Sequence, residues 1–438
     1  MNRPNPIAAP TTEQSSRRTF LGTTAAATAA LSSMVHTSAA SAQETQELRL
    51  AVVGCGGRGG GAIEDSLTIN ENIKWVAAAD LEASKCSNLR KAMERRFPDK
   101  VAIPDDKMHS GLDAYKRILD DPEIDVVLLT TSPGFRPYHI AEAVAAGKHV
   151  FAEKPTCVDP AGYRVCLKAH EQAVANKTGI VTGTQYRRQT NYIGAVEQIR
   201  SGTIGDIVSA TTRYCSTAIW YKNRVEGMSD TEYQLYNWMH FIWLSGDQIA
   251  EQAVHNIDTM NWVMGSAPES AYGGGGRFTR PEDSEMWDNI QLDYVYPGNR
   301  VCSFMCRQIP GTQTDNGNVI YGSDGICYIN AMSGGSRITD HAGKELWSMP
   351  GSIEAAYQQE HKDLIDSIRA GQPIVELQQT AESSLTAVMG RMAAYTGKKV
   401  TWDFVTKESQ LDLFPKDLKI DGKRPEPEFA IPGKTPLV

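Results

Sequence analysis

The spacing of apolar positions divides the chain into two parts with different architectures. Between residues 48 and 176, short apolar runs typical of buried strands alternate with segments whose apolar residues recur at helical spacing. This alternation predicts an α/β domain with a doubly wound parallel sheet. After about residue 205, β-rich runs separated by turns predict a second α/β domain, residues 177–403, with an open and mainly antiparallel sheet.

The same pattern predicts individual elements. Strands are expected at 48–53, 75–79, 125–130, 149–152 and 179–183 in the first part, and at 207–214, 290–296, 300–307 and 318–321 in the second. Helices are expected at 139–146, 159–175, 353–369 and 380–396. The aromatic-rich region 214–244 is expected to be an irregular insertion. Residues 404–438 are expected to be a tail that extends over the surface.

Residues 1–42 resemble an export signal rather than part of a fold. The pair Arg17 and Arg18 stands in a sequence similar to the twin-arginine motif, an Ala/Thr-rich stretch follows, and residues 40–42 fit an A-x-A cleavage site. These features predict that the twin-arginine machinery exports the chain to the periplasm. The alternatives are an unfolded tail with a chance arginine pair, or an uncleaved membrane anchor.

Composition and charge narrow the class of protein. The 438 residues suffice for two domains with large cores, and 41% hydrophobic residues are ordinary for a globular protein. The net charge is −8 without any basic block, which argues against a nucleic-acid partner. Eight cysteines form no close paired pattern, so we expect them to be reduced.

A glycine-rich loop directly follows the first predicted strand. Gly54, Gly56 and Gly59 fit G-x-G-x-x-G, and Asp80 lies 21 residues after Gly59, at the end of the next predicted strand. In this fingerprint the glycines permit a tight turn, close approach of the pyrophosphate, and packing of the following helix, whose N-terminus attracts phosphate. The pattern predicts a Rossmann dinucleotide-binding domain over residues 48–176. The alternative is a plain glycine-rich turn.

The acidic residue at the end of the second strand bears on cofactor choice. Asp80 would hold the adenosine ribose and favours NAD, because a carboxylate repels a 2′-phosphate. NADP is the alternative, with Arg58 or Lys85 binding that phosphate. The predicted cofactor-binding residues are Gly54, Gly56, Gly57, Arg58, Gly59, Asp80, Thr131, Glu153 and Lys154.

Two further motifs could carry chemistry. Glu153 and Lys154 precede a proline at the carboxyl end of a predicted strand, where open α/β sheets bind ligands. A lysine there can stabilise the oxygen of a reacting hydroxyl. The alternative is a surface ion pair between these two residues.

The second motif is Glu251, His255 and Asp258, which would share one face of a helix. A carboxylate beside an imidazole fixes its tautomer and raises its basicity, so His255 could accept a hydroxyl proton. A packing histidine is the alternative. A metal site is a further alternative, since Glu and His at this spacing can chelate. No third ligand is evident, and we expect no metal.

Together, the three motifs resemble those of the glucose–fructose oxidoreductase/inositol dehydrogenase (Gfo/Idh/MocA) family over roughly residues 48–403. The resemblance implies that nicotinamide and substrate meet between the two domains. It assigns Lys154 to substrate positioning and His255 to general acid–base chemistry, and places a cis bond before Pro155. The family often has Asp where this chain has Glu251. The resemblance also implies a homo-dimer or homo-tetramer.

The sequence therefore predicts an exported NAD(P)-dependent oxidoreductase acting on a sugar or polyol. The expected catalytic residues are Lys154 and His255, and the expected substrate contacts are Lys154, Glu251, His255 and Asp258. Two other functions stay open: a redox-neutral glycosidase or sugar–sugar oxidoreductase with tightly bound cofactor, and a non-catalytic, cofactor-bound sugar-binding protein. The aromatic insertion would either stack on sugars or form core or oligomer contacts. Arg187 and Arg188 are expected to be exposed.

Overall fold

Six short strands form the first sheet of the computed structural model, which describes residues 46–331 and 334–438. Residues Gln46–Val438 make one compact unit. All pairings in this sheet are parallel, in the spatial order β3-β2-β1-β4-β5-β6. The strands are β1 Leu48–Val53, β2 Ile73–Asp80, β3 Met108–Ser110, β4 Val126–Leu129, β5 His149–Ala152 and β6 Ile180–Thr182.

Helices make the crossovers that parallel strands require. Those of the first part are α1 Gly57–Ile69, α2 Ala83–Glu94, α3 Ala114–Leu119, α4 Arg136–Ala145, α5 Pro160–Asn176 and α6 Thr190–Arg200. The start of α5 is set locally, because the Asp159 side chain accepts a hydrogen bond from the Gly162 amide at 2.6 Å and Pro160 occupies the first turn.

The second sheet has nine strands in the order β14-β13-β12-β11-β7-β10-β9-β8-β15. Its pairings are antiparallel except between the neighbours β7 and β10. The predicted mainly antiparallel sheet is confirmed. The strands are β7 Ile207–Ser216, β8 Ser270–Gly276, β9 Asn289–Tyr296, β10 Arg300–Gln308, β11 Asp315–Gly322, β12 Ile326–Asn330, β13 Ser336–Thr339, β14 Glu345–Met349 and β15 Val400–Thr401.

Six more helices belong to the second part: α7 Asp230–Tyr236, α8 Ile242–Ser245, α9 Gln248–Glu251, α10 Val254–Met264, α11 Ile353–Arg369 and α12 Leu377–Thr396. Nearly every residue of α12 is buried, since it packs against the second sheet, α5 and α10. Helix α11 instead returns to the first sheet, where Leu364 and Ile365 share an apolar cluster with Trp75 and Phe151.

The insertion is more regular than the sequence predicted. Ser229 and Glu232 form a capping box that starts α7, and Tyr233, Phe241 and Trp243 form a small apolar cluster of their own. The expectation of an irregular segment holds for residues 217–229 and was wrong for residues 230–245, where local capping starts a helix without a clear apolar period. Among the tail residues, Phe414 packs on this same cluster.

Two findings concern export and thiols. The predicted signal segment, residues 1–42, lies outside the described residues. In the described part, no helix is both long and apolar enough to cross a bilayer. All eight cysteines are buried and free of disulfide bonds.

Candidate active site

The loop after β1 has the backbone geometry that a dinucleotide needs. Gly54 has φ +97°, and a Cβ on it would lie 2.9 Å from the Thr131 amide nitrogen. A Cβ on Gly59 would lie 1.9 Å from the Gly54 carbonyl oxygen, so only glycine lets α1 pack this closely. At Gly56 and Gly57 a Cβ would meet nothing within 4 Å. Those two positions therefore form an open cradle at the helix N-terminus, as a pyrophosphate requires.

Asp80 lies at the end of β2 beside this loop. One carboxylate oxygen accepts from the Cys55 amide at 2.7 Å, and the other accepts from the Glu82 amide at 3.1 Å. The Lys85 ammonium lies 3.7 Å from the same carboxylate. The backbone thus fixes the carboxylate where the ribose of a dinucleotide would lie, and Lys85 is the nearby cation.

A cavity of about 470 Å³ joins this loop to the second part of the chain. It is lined by every predicted cofactor, catalytic and substrate residue except Asp258: Gly54, Gly56, Gly57, Arg58, Gly59, Asp80, Thr131, Glu153, Lys154, Glu251 and His255. The carboxyl ends of β1, β2, β4 and β5 therefore meet α9 and α10 around one space.

Glu153 and Lys154 have different partners. The buried Glu153 carboxylate pairs with Arg58, and with Arg58 as the main opposing charge its pKa is lowered despite burial. The Lys154 ammonium donates to the Glu251 main-chain oxygen at 2.5 Å and lies 3.2 Å from the Glu251 carboxylate. A surface pair between Glu153 and Lys154 is thus not what forms. The bond before Pro155 is cis.

His255 is 8% exposed and lines the cavity next to the Tyr186 ring, with 5.0 Å between ring centroids. Burial, then the charges of Lys154 and Arg58, lower its pKa well below the ordinary value. Its buried Nδ1 has no hydrogen-bond partner among the described residues. The imidazole is therefore neutral at neutral pH and able to accept a proton.

The predicted single helix through Glu251, His255 and Asp258 was wrong. Helix α9 ends at Glu251, and α10 begins at Val254. The Glu251 carboxylate accepts from Lys154 and from the side-chain amide of Gln252 rather than from the imidazole.

Asp258 lies behind the site. Its carboxylate accepts hydrogen bonds from Arg187 Nε and Nη2, each at 2.8 Å, and from the Ser383 hydroxyl, also at 2.8 Å. The expected substrate contact from Asp258 is therefore absent from the described cavity lining. The bidentate pair instead joins α10 to the loop after β6.

The expected exposure of Arg187 and Arg188 was also wrong. Their side chains are 14% and 8% exposed. Arg188 donates to the Glu376 carboxylate at 2.7 and 3.0 Å and to Asp363 at 3.1 Å. Carboxylates distant in sequence compensate both buried charges, so neither arginine is free for an acidic substrate.

Sequence reasoning missed several residues that line the cavity. Arg136, fully buried, donates to the main-chain oxygens of Thr131 and Pro155, and so ties the loop after β4 to the loop that carries Lys154. Tyr357, on α11, accepts from Gln185 at 3.1 Å, which leaves its hydroxyl proton for another acceptor. No motif marks them, because their roles depend on contacts with loops far away in sequence.

No group of three or more His, Cys, Asp or Glu residues suited to a metal occurs in the described ranges. The open glycine cradle and the fixed Asp80 carboxylate fit a dinucleotide. Gly54, Gly56, Gly57 and Gly59 would hold the pyrophosphate, and Asp80 the ribose.

Comparison with known proteins decides the family. The model of the Gfo/Idh/MocA oxidoreductase family, described as an NAD-binding Rossmann fold, matches residues 48–178. The model of the family's C-terminal domain matches residues 192–328, so the two cover more than half of the chain. The chain belongs to the Gfo/Idh/MocA family. NAD binding by the first domain of this family member is thereby confirmed, as is the fold class.

Relatives and a solved structure agree with this assignment. The inositol 2-dehydrogenase of Acidothermus cellulolyticus is 24% identical over 56% of this chain, and the match spans 62% of that relative, less than two thirds of its length. Inositol 2-dehydrogenase 3 of Saccharopolyspora erythraea is 25% identical over 81% of this chain and 90% of its own. The structure of an aldose-aldose oxidoreductase from Caulobacter crescentus, complexed with glycerol, shares the fold, with TM-score 0.65, 19% identity and coverage of 81% and 100% of the two chains.

Proposed function

We propose that this Gfo/Idh/MocA protein is an NAD-dependent oxidoreductase that acts on the CH–OH group of a sugar or polyol. The observation that carries the proposal is that Lys154 and His255, from different elements, line one cavity with the dinucleotide loop. The inositol 2-dehydrogenase relatives support a polyol or sugar as the substrate. Asp80 favours NAD over NADP, since its fixed carboxylate would repel a 2′-phosphate.

Lys154 would hold the reacting oxygen. Its ammonium has three protons, and the two contacts with Glu251 leave one that can be donated to a substrate hydroxyl. A positive charge there stabilises the alkoxide that develops during oxidation. Glu251 rather than Glu153 therefore holds the ammonium at the cavity. The Glu153 charge is compensated by Arg58.

His255 would take the hydroxyl proton. Its lowered pKa keeps the ring neutral at neutral pH, so a ring nitrogen is free to accept the proton that leaves the hydroxyl. Bound NAD supplies the hydride acceptor. The protein's task is then to bind one hydroxyl beside Lys154 and to remove its proton through His255.

The test uses two variants and two readouts. Lys154→Met and His255→Gln should each lower kcat for a sugar or polyol by about a hundredfold or more, since each removes a group acting on the reacting oxygen. NADH affinity, measured by fluorescence, should change only slightly. Glu123→Gln, an exposed surface change, is the control. Near wild-type turnover of both variants on a substrate found in a panel of polyols and aldoses would contradict the proposal.

A redox-neutral reaction is the second candidate. The related fold of an aldose-aldose oxidoreductase and the resemblance of residues 1–42 to an export signal favour it, because free nicotinamide is scarce outside the cytoplasm. In that case a retained cofactor would return the hydride to a second sugar, or to the oxidised substrate after elimination of its glycosidic leaving group and addition of water. Product formation without accumulation of free NADH would support this cycle, whereas stoichiometric free NADH would support net oxidation.

A further inference from the structure

One side of the cofactor cavity is formed by the insertion. Leu235 at the end of α7 and Trp238 in the following turn line the same space as Asp80 and Lys85. These two apolar side chains come from neither of the dinucleotide motifs. We call these two side chains, Leu235 and Trp238, the wall of the cavity.

Charges place this wall near the adenosine end of the cavity. Lys222, in the same insertion, has a pKa lowered by burial and by the charge of Lys85, which Glu82 opposes. Lys85 and Glu82 flank the Asp80 carboxylate. The insertion thus approaches the end of β2, where the ribose would lie, rather than only the Lys154 end.

Aromatic contacts give the same placement. The Phe135 ring, which lines the cavity, packs on the apolar cluster of the insertion and stacks on His139 at 5.7 Å. His139 in turn lies 4.1 Å from the Tyr115 ring, which lines the cavity just after β3. A row of rings therefore connects the insertion with the β3 side of the first sheet, which is the adenine side of a Rossmann domain.

Buried polar groups hold the insertion in shape. The buried His240 bonds the Trp220 main-chain oxygen at 2.9 Å. The buried Asn237 accepts from the Lys222 amide at 3.0 Å and donates to the Lys222 oxygen at 2.7 Å. These bonds fix the turn that carries Trp238.

Contacts with two other segments brace the wall. A Cβ on Gly134 would lie 2.1 Å from the Trp243 main-chain oxygen, so the loop after β4 touches the insertion backbone directly. From the tail, Phe414 packs on Trp243, and the Gly422 oxygen accepts from the Thr231 amide at 3.3 Å. The wall is thus held between the first sheet and the tail.

We propose that Leu235 and Trp238 bind the adenosine half of NAD as a fixed apolar wall and slow its release. Apolar contact with these two side chains would bury adenosine surface that the glycine loop leaves open. The inference uses only the confirmed NAD binding and does not depend on the identity of the substrate.

The test measures cofactor release rather than turnover. We would compare the wild type with Trp238→Ala, Leu235→Ala and the double variant, each loaded with NADH and mixed rapidly with excess NAD. Loss of NADH fluorescence gives the dissociation rate. We expect the double variant to release NADH at least tenfold faster than the wild type, with smaller increases for the single variants. Val225→Ala is the matched control, since Val225 is 54% exposed in the same insertion and lies outside the described cavity lining.

Thermal unfolding of the cofactor-free proteins shows whether the variants fold. If Trp238→Ala does not fold, the double variant Trp238→Leu with Leu235→Ala is measured instead. It keeps an apolar side chain at position 238 while removing the ring. Release rates in folded wall variants that equal the wild-type rate would overturn the proposal. A raised KM for substrate with unchanged NADH release would likewise overturn it and would assign the wall to the substrate. The release rates can be measured even if the protein does not act on a sugar or polyol, because the assay contains only NADH and NAD.

Discussion

At the scale of single residues, the site depends on which carboxylate meets which cation. Arg58 pairs with Glu153, and Lys154 pairs with Glu251. The first pair leaves Lys154 free of its sequence neighbour, and the second directs it into the cavity. Because their ion-pair partners differ, the adjacent residues Glu153 and Lys154 have different roles. Glu153 fixes Arg58 of the dinucleotide loop, and Lys154 would bind the substrate.

Glu251→Gln tests the second pair. The amide keeps the side-chain volume but loses a charged hydrogen bond worth roughly 1.5–3 kcal/mol, so kcat/KM should fall by about tenfold to a hundredfold. NADH affinity should be nearly unchanged, because Glu251 lies at the Lys154 end of the cavity. Full activity in this variant would show that the main-chain contact alone holds Lys154.

At the scale of elements, the glycine loop was predictable and the catalytic helices were not. The fingerprint is local: Gly54 has a positive φ, Gly56 leaves an open space, and Gly59 allows close packing on the Gly54 oxygen. The break between α9 and α10 was not predictable from apolar spacing. The start of α9 was not predictable either, because it follows Asp247, which has φ +74° and whose buried carboxylate binds Tyr395 from distant α12.

Two neighbouring glycines should respond differently to alanine. Gly59→Ala puts a Cβ against the Gly54 oxygen and should lower the free energy of unfolding by about 2 kcal/mol or more. Gly57→Ala meets no protein atom within 4 Å and should leave stability within about 0.5 kcal/mol of the wild type. Its Cβ would instead occupy the cradle and weaken NADH binding by at least tenfold. Denaturant unfolding and NADH titration separate the two effects. Equal stability losses in both variants would refute the cradle.

At the scale of the whole molecule, both sheets and the NAD assignment could be predicted, because apolar period and glycine spacing are read along the chain. The buried ion pairs could not. Arg187 finds Asp258 and Arg188 finds Glu376 only after α10 and α12 pack against the loop after β6. An arginine's sequence neighbours carry no information about such partners, which is why both were expected at the surface.

Buried neutral histidines should make the protein sensitive to acid. Burial, then the Arg136 charge, lower the pKa of His139 to about 3. An unfolded histidine protonates below about pH 6.5, so at pH 5 the unfolded state binds more protons than the folded state. The free energy of unfolding is therefore lower at pH 5 than at pH 7.5 by about 2 kcal/mol. His139→Asn should remove that part of the loss, as measured by denaturant unfolding at both pH values. The exposed His341→Asn is the control. An unchanged pH dependence in His139→Asn would contradict this assignment.

The return of α11 to the first sheet has a consequence for recombination between relatives. Leu364 and Ile365 complete the apolar layer that contains Trp75 and Phe151, and the Ile180 amide donates to the Ile374 oxygen at 2.7 Å at the sheet edge. A chimera that exchanges only the segment up to residue 178 would therefore join one protein's sheet to another protein's covering helix. Crossovers that carry residues 353–376 along with the nucleotide-binding segment keep both halves of that interface from the same parent.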